Sequence, residues 1–321
     1  MTDRFGREIN YLRLSVTDRC NLRCRYCMPD GCDMVGHGDI LSYEEFLRLA
    51  RLFASLGVEH IRVTGGEPLV RLGAAGFIAE LKRVPGVRKV SMTTNGTLLP
   101  RYGRELADAG LDSVNISLDT TDPQLEREIS GSCDVIGPVL EGMELMRSLG
   151  VPVKLNAVLL REAASTLVDL ARFAARGVPV RFIELMPMGF GKSEAGLSPG
   201  EALEILRAEW PDLSPADLRI GPGPARYYAS AALSAPTGII DAVSNRFCAG
   251  CNRVRITSTG HLKPCLCFDE GVDLRPLLRG GADDRELTEA IRGCIYNKPR
   301  QHCFDAPQEM TERRLMSQIG G

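Results

Sequence analysis

Cys20, Cys24 and Cys27 stand in the run Asp18-Arg19-Cys20-Asn21-Leu22-Arg23-Cys24-Arg25-Tyr26-Cys27, a C-x3-C-x2-C spacing. Thiolates this close in sequence reach a single metal centre, and no fourth ligand follows at a matching interval. A structural zinc ion takes four protein ligands, and an electron-transfer 4Fe–4S cluster usually takes four cysteines. A four-iron cluster on three thiolates keeps one iron open for a substrate or cosubstrate. Zinc completed by Cys32 or His37 is the competing reading.

The same omission recurs downstream. Cys248, Cys251 and Cys265 make a C-x2-C-x13-C set, with Cys267 two residues further as an alternative ligand. A zinc ribbon ending on Cys265 or Cys267 competes here. Arg253 and Arg255 follow Cys251 and, on a strand, share one face. Two guanidinium groups beside a metal site suit a phosphorylated anion; a solvated strand face is the plainer alternative. Gly65-Gly66-Glu67-Pro68 adds glycines that permit close backbone approach, and carbonyls with a carboxylate suit an ammonium group. The terminal Gly320-Gly321 pair is slim enough to thread into a site, a disordered end or a conjugation-type tail being the other readings.

Composition narrows the setting. The 321 residues are 44% hydrophobic and 25% charged, with a net charge of −2, so any anionic ligand must be held by local cations. This balance gives no reason to expect a nucleic-acid polymer or a membrane as partner. No apolar stretch reaches membrane-spanning length, and Met1–Gly6 lacks a signal peptide's apolar core. A cytoplasmic protein is expected. There, eleven cysteines point to metal sites rather than disulfides. Cys32, Cys133, Cys267, Cys294 and Cys303 read by default as small buried or incidental residues.

The elements that must position these groups alternate. Strands are expected at Leu12–Val16, His60–Thr64, Lys89–Thr93, Ser113–Leu118, Val153–Val158 and Val180–Leu185. Helical patterns fill the gaps: from Ser42, with Glu45 as a capping box, to Leu56, then Gly76–Val84, Pro100–Ala109, Pro138–Leu149 and Ser165–Arg176. Six β–α units imply a parallel sheet with right-handed crossovers. Six falls short of eight, which favours an incomplete (β/α) barrel of about six repeats over a closed one; a doubly wound sheet competes. Either places ligands at the carboxyl ends of the strands, where the cysteine loop, Gly65–Pro68, Thr93–Gly96, Ser117–Asp119 and Glu184–Met186 all fall. Pro199–Trp210 reads as a helix, and the proline- and glycine-rich stretch 211–225 as a linker or long loop. The chain thus divides into a core over residues 1–210 and a C-terminal segment over 211–321.

C-x3-C-x2-C with Tyr26 inside it, followed by Gly-Gly-Glu-Pro, resembles the radical S-adenosylmethionine superfamily. Arg181–Met186, Gly223–Tyr228, the run Arg246–Arg255 and the Gly-Gly end extend the resemblance, nearly end to end, to the GTP 3′,8-cyclase family of molybdenum cofactor biosynthesis. It implies an incomplete barrel whose mouth is closed by a C-terminal cluster-binding segment. It implies two 4Fe–4S clusters, on Cys20, Cys24 and Cys27 and on Cys248, Cys251 and Cys265. Tyr26, Gly66, Ser117 and Met186 would line the S-adenosylmethionine pocket, and Arg13, Arg62, Thr93, Lys154, Arg253 and Arg255 would contact GTP. Arg253, Arg255, Gly320 and Gly321 would serve catalysis. In such enzymes a 5′-deoxyadenosyl radical takes the C3′ hydrogen of GTP, C3′ attacks C8 of guanine, and one electron and a proton complete the product. A flavodoxin- or ferredoxin-type electron donor, a downstream cyclic pyranopterin monophosphate synthase and a homodimer are further expectations of the resemblance. A peptide maturase with an auxiliary cluster, or a non-catalytic zinc protein, are the competing functions.

Overall fold

The computed structural model describes residues 1–30 and 32–320. Strands β1 (Tyr11–Ser15), β2 (His60–Thr64), β3 (Lys89–Thr94), β4 (Ser113–Ser117), β5 (Val153–Val158) and β6 (Val180–Ile183) lie side by side in chain order, all parallel. Six shorter strands follow: β7 (Ser214–Ala216), β8 (Arg226–Ala229), β9 (Thr237–Ile240), β10 (Arg253–Ile256), β11 (His261–Lys263) and β12 (Val272–Asp273). β10 pairs parallel on the free side of β1, and β9 parallel on the free side of β6. The C-terminal segment therefore adds two strands to the parallel core and caps it with antiparallel strands, β11 and β12 at one end and β8 and β7 at the other. Among the described residues no ladder joins the two outer edges, so the barrel stays open. β7 falls inside the stretch expected to be a linker, where it pairs with β8.

Helices α1 (Tyr43–Ser55), α2 (Ala74–Lys82), α3 (Leu99–Asp108), α4 (Pro123–Ser130), α5 (Ile136–Ser148) and α6 (Leu167–Ala171) connect the first six strands, and α7 (Pro199–Glu209), α8 (Arg275–Arg279), α9 (Asp284–Tyr296) and α10 (Met316–Ile319) follow. The strand order runs from β1 to β6 without reversal. Right-handed crossovers then place every connecting helix on one face, which rules out a doubly wound sheet. Ser42 and Glu45 form the expected capping box of α1. Helix α4 had no forecast, although Asp122 caps it and Pro123 occupies its first turn. The helix expected at Ser165–Arg176 is broken into 3-10 turns around α6. There the Thr166 hydroxyl donates to the Ala163 carbonyl at 3.2 Å, competing with regular helical bonding.

Strand alternation sorts the side chains. Leu12, Leu14, Ile61, Val63, Val90, Met92, Val114, Ile116, Leu155 and Phe182 are buried on the helix-covered face. The opposite face, the barrel interior, receives Tyr11, Arg13, Arg62, Ser91, Thr93, Asn115, Ser117, Lys154, Asn156, Arg181, Arg253 and Arg255 by the same two-residue period. A polar interior lined by cations is unusual for a barrel of this size, whose centre is ordinarily filled by branched apolar side chains.

Candidate active site

The interior cations are in register. Arg13 pairs with Arg255 on one side and Arg62 on the other, so three guanidinium stems stand on adjacent strands about 4.8 Å apart at the backbone. Like charges directly opposite one another are destabilising. Burial holds Arg13 well below the usual arginine range, at about 9, with Arg255, Arg62 and Arg253 adding repulsion that Tyr11 partly offsets. Arg255 is held down to about 10 by burial and by Arg253. Arg62 spends donors on the Tyr11 hydroxyl, the Met92 carbonyl at 3.0 Å and the Thr93 hydroxyl at 3.3 Å. Asn115 links the row to the far side through its register with Thr93 and Lys154. Lys154 is pushed down to about 8 by burial, then by Arg181, Arg62 and Lys89. This accumulation of positive charge is a standing cost in the free protein, and a polyanion relieves it.

The first cysteine loop leaves the carboxyl end of β1. Burial raises the Cys20, Cys24 and Cys27 thiols, Cys27 to about 12, and the three act on one another electrostatically. The Cys20 sulfur accepts from the Leu22 amide at 3.4 Å and from Asn95 Nδ2 at 3.7 Å, which suits a thiolate. Gly65 and Gly66 press against this loop: a Cβ at Gly66 would lie 2.5 Å from the Arg19 carbonyl oxygen, and one at Gly65 2.7 Å from that of Thr17. The carboxylate of Glu67, expected to face an ammonium, is turned inward instead. It has no exposed surface and accepts from the Leu69 amide at 2.9 Å, the Thr94 hydroxyl at 2.8 Å and the Asn95 amide at 2.7 Å. Burial raises it to about 7, against the pull of those three donors. The backbone carbonyls of the motif are left to meet an ammonium.

Tyr26 donates its hydroxyl to Asp119 at 2.7 Å, beyond the end of β4, and Asp119 in turn accepts from the Val158 amide at 2.7 Å. Ser117 ends β4 opposite Asn156. Met186 lies beyond β6 and packs against an apolar cluster of Met188, Cys267, Cys303, Phe304 and Ile319. These groups, with Gly66, ring the mouth at the carboxyl ends of the strands.

The second cysteine set occupies the other mouth. Cys251 lies two residues before β10, and Cys265 two residues after β11, which runs back antiparallel to it. Both therefore sit at the amino end of β10 and of its parallel neighbour β1, whereas Cys20 lies past the carboxyl end of β1. A five-residue strand, roughly 16 Å long, separates the two sets. Cys248 and Cys251 are electrostatically coupled, as are Cys248 and Cys265. Burial would raise Cys251, but Lys298 and Arg253 outweigh it and bring the thiol down to about 7. Cys267 does not join this set: it is fully buried, and its sulfur accepts from the Cys303 amide at 3.3 Å. Among the described residues no three His, Cys, Asp or Glu side chains gather closely enough to hold a single metal ion. A multi-iron cluster carries each thiolate on a different iron and accepts the wider spacing, so both sets fit such a cluster.

Gly320 enters the interior. Arg255 Nη1 donates to the Gly320 carbonyl at 2.9 Å, and a Cβ at Gly320 would stand 2.7 Å from Thr64 Oγ1 and 2.9 Å from Ser15 Cβ. Gly320 also holds φ +77°, so glycine is required twice over. Gly321 lies outside the described residues. The buried pair Lys263–Glu312 anchors the approach of this tail.

Three residues escaped the sequence reading. Arg181 is buried on the inward face of β6 and donates to Asn156 Oδ1 at 2.9 Å; its place between apolar Val180 and Phe182 was the available signal. Arg7 and Lys298 are buried near the second set, and lie in irregular segments where no periodicity marks them.

The Radical SAM superfamily model matches residues 14–174, and the Molybdenum Cofactor Synthesis C model matches residues 178–304. A protein of Heliobacterium modesticaldum named GTP 3′,8-cyclase is 44% identical over the full length of both chains. One of Clostridium perfringens with the same name is 40% identical, again over both full lengths. Streptococcus suis SuiB, solved bound to S-adenosylmethionine, shares the fold at 16% identity, with a TM-score of 0.64 over 98% of this chain and 78% of its own. Two three-cysteine sets facing each other through a cationic barrel, matched end to end at this identity, place the chain in the radical SAM superfamily and, within it, in the GTP 3′,8-cyclase family.

Proposed function

We propose that the chain converts GTP to (8S)-3′,8-cyclo-7,8-dihydroguanosine 5′-triphosphate, the first step of molybdenum cofactor biosynthesis, with two 4Fe–4S clusters and S-adenosylmethionine as cofactors. The observation that carries this reading is the in-register row Arg255, Arg13 and Arg62 lying between two three-cysteine sets. When bound, the cluster on Cys20, Cys24 and Cys27 with S-adenosylmethionine would supply a hydrogen-abstracting radical, and the cluster on Cys248, Cys251 and Cys265 would supply an iron able to take a ligand from the substrate. The protein's own residues do the rest. Arg13, Arg62, Lys154, Arg253 and Arg255, joined by Arg181, bind the triphosphate by charge-assisted hydrogen bonds, and Thr93 steadies Arg62. Tyr26, Gly66, Ser117 and Met186 border the cosubstrate. Gly320 fills the interior beside Arg255 and excludes water from C3′.

The division at residue 210/211 is then functional, a radical-generating core followed by a substrate- and cluster-binding segment. A flavodoxin- or ferredoxin-type reductant, a cytoplasmic setting, a homodimer and cyclic pyranopterin monophosphate synthase as the next enzyme belong to the same reading. No helix of the described residues is long and apolar enough to cross a membrane. The test is anaerobic turnover with GTP, S-adenosylmethionine and dithionite. GTP-dependent 5′-deoxyadenosine and a cyclised nucleotide are expected; equal 5′-deoxyadenosine with and without GTP would refute the assignment.

A further inference from the structure

The segment after α9 wraps the back of the second cysteine set. Lys298 is 3% exposed, and its ammonium donates to the Arg253 carbonyl at 2.8 Å and to the Pro264 carbonyl, one residue before Cys265. The His302 amide donates to the Cys248 sulfur at 3.4 Å. Arg7 reaches the Cys248 carbonyl at 2.9 Å and the carbonyls of Pro299 at 2.6 Å and Arg300 at 3.0 Å, fixing this segment to the first cysteine of the set. Among the described residues, no carboxylate lies within ion-pair distance of Lys298, whereas Arg7 is paired with Asp3.

A buried ammonium satisfied only by carbonyls lacks a counter-charge, and burying an unpaired charge is costly. The nearby groups able to carry negative charge are the thiolates of Cys248 and Cys251 in the set, and that of Cys294, which burial pushes up to about 12 and so keeps neutral. We infer that Lys298 is a positioning residue for the second cluster: it ties the strand bearing Arg253 to the loop bearing Cys265, and it is the buried counter-ion of the cluster those cysteines hold. Hydrogen bonding and net charge around the sulfurs set the reduction potential of such a cluster. A fixed cation favours the reduced, more negative form. The inference rests on the reading that Cys248, Cys251 and Cys265 hold a cluster.

The test uses the full chain, reconstituted anaerobically without GTP or S-adenosylmethionine. Iron per chain and the midpoint of each cluster, followed by electron paramagnetic resonance, are measured for the wild type, Lys298→Gln, Lys298→Met and Lys298→Arg. Glutamine keeps a donor for the carbonyls but removes the charge. The expected result is a second-cluster equilibrium shifted at least tenfold toward the oxidised form in Lys298→Gln, about 59 mV for one electron. The first cluster should stay unchanged, and Lys298→Arg, which keeps the charge, should stay close to the wild-type midpoint. Loss of the second cluster in the glutamine and methionine variants but not in the arginine variant also supports the inference. A fully loaded Lys298→Gln with an unshifted second cluster overturns it, as does equal cluster loss in all three variants, which would make the role steric. Wild-type protein with only about four irons per chain would instead defeat the reading of the cysteines.

Discussion

Replacing Gly66 by alanine sets a methyl group against the backbone that carries Cys20. The new Cβ would lie 2.5 Å from the Arg19 carbonyl oxygen and 2.7 Å from that of Asp18, where an ordinary contact begins at 3.4 Å. The loop must retreat by about 0.9 Å at Arg19, and because the obstacle is backbone no rotamer relieves it. That retreat stretches the bond from the Glu67 amide to the Arg19 carbonyl, now 2.8 Å, beyond hydrogen-bond range. Overpacking costs about 1–3 kcal/mol and a lost amide bond about 1 kcal/mol, giving roughly 2–4 kcal/mol concentrated on the first cysteine loop. Gly76 supplies the contrast. It sits inside α2 with nothing within 4 Å of its Cβ position, so alanine there gains about 1 kcal/mol of helix propensity. The assay is iron content after anaerobic reconstitution together with denaturant unfolding. Gly66→Ala should unfold at lower denaturant and hold about four irons, against about eight for wild type and Gly76→Ala. Full iron in Gly66→Ala with an unchanged unfolding midpoint would refute the reasoning.

Arg255→Ala removes a half-buried cation and its 2.9 Å bond to Gly320; GTP-dependent turnover should fall by about 10- to 100-fold with iron content intact, read by product assay and iron analysis. Lys154 titrates at about 8 in the folded chain against 10.5 unfolded, through burial and the neighbouring Arg181 and Arg62. A depressed lysine penalises the fold below its folded value, and the penalty fades as pH rises toward the unfolded one. Lys154→Met should therefore stabilise the ligand-free protein by about 3 kcal/mol at pH 7 and by less than about 1 kcal/mol at pH 10 in urea melts, while weakening GTP binding by calorimetry. Glu312→Gln breaks the buried pair with Lys263; a loss of about 3–5 kcal/mol in unfolding free energy and faster proteolysis of the C-terminal tail are expected. Cys267→Ala should keep about eight irons and Cys265→Ala about four, since the Cys267 sulfur faces Cys303.

The core of the barrel was legible because its signals are local. Alternating apolar runs marked all six strands, His60–Thr64 and Val153–Val158 to the residue, and Ser42 with Glu45 marked the start of α1. The cysteine spacings and the alternation of Arg253 with Arg255 are equally local. What escaped depends on contacts distant in sequence. That β9 and β10 complete the parallel core on either side of β6 and β1 follows from pairing across more than fifty residues in one case and more than two hundred in the other. The inward turn of Glu67 requires the amide of Asn95, which arrives just past the end of the next strand. Arg7 and Lys298 acquire their roles only when the two ends of the chain meet at Cys248.

The docking of β9 and β10 gives the ribosome-bound chain a problem of timing. Once β6 has emerged, β1 and β6 are bare edges of a six-stranded sheet until residues 237–256 follow, an interval on the order of ten seconds at ordinary rates of synthesis. Open edges of this kind invite pairing with another nascent chain. Each carries an inward arginine near its middle, Arg13 on β1 and Arg181 on β6, and a charge held there resists stacking against a second sheet. The arginines proposed to grip a triphosphate in the finished protein thus act as gatekeepers for the half-made one.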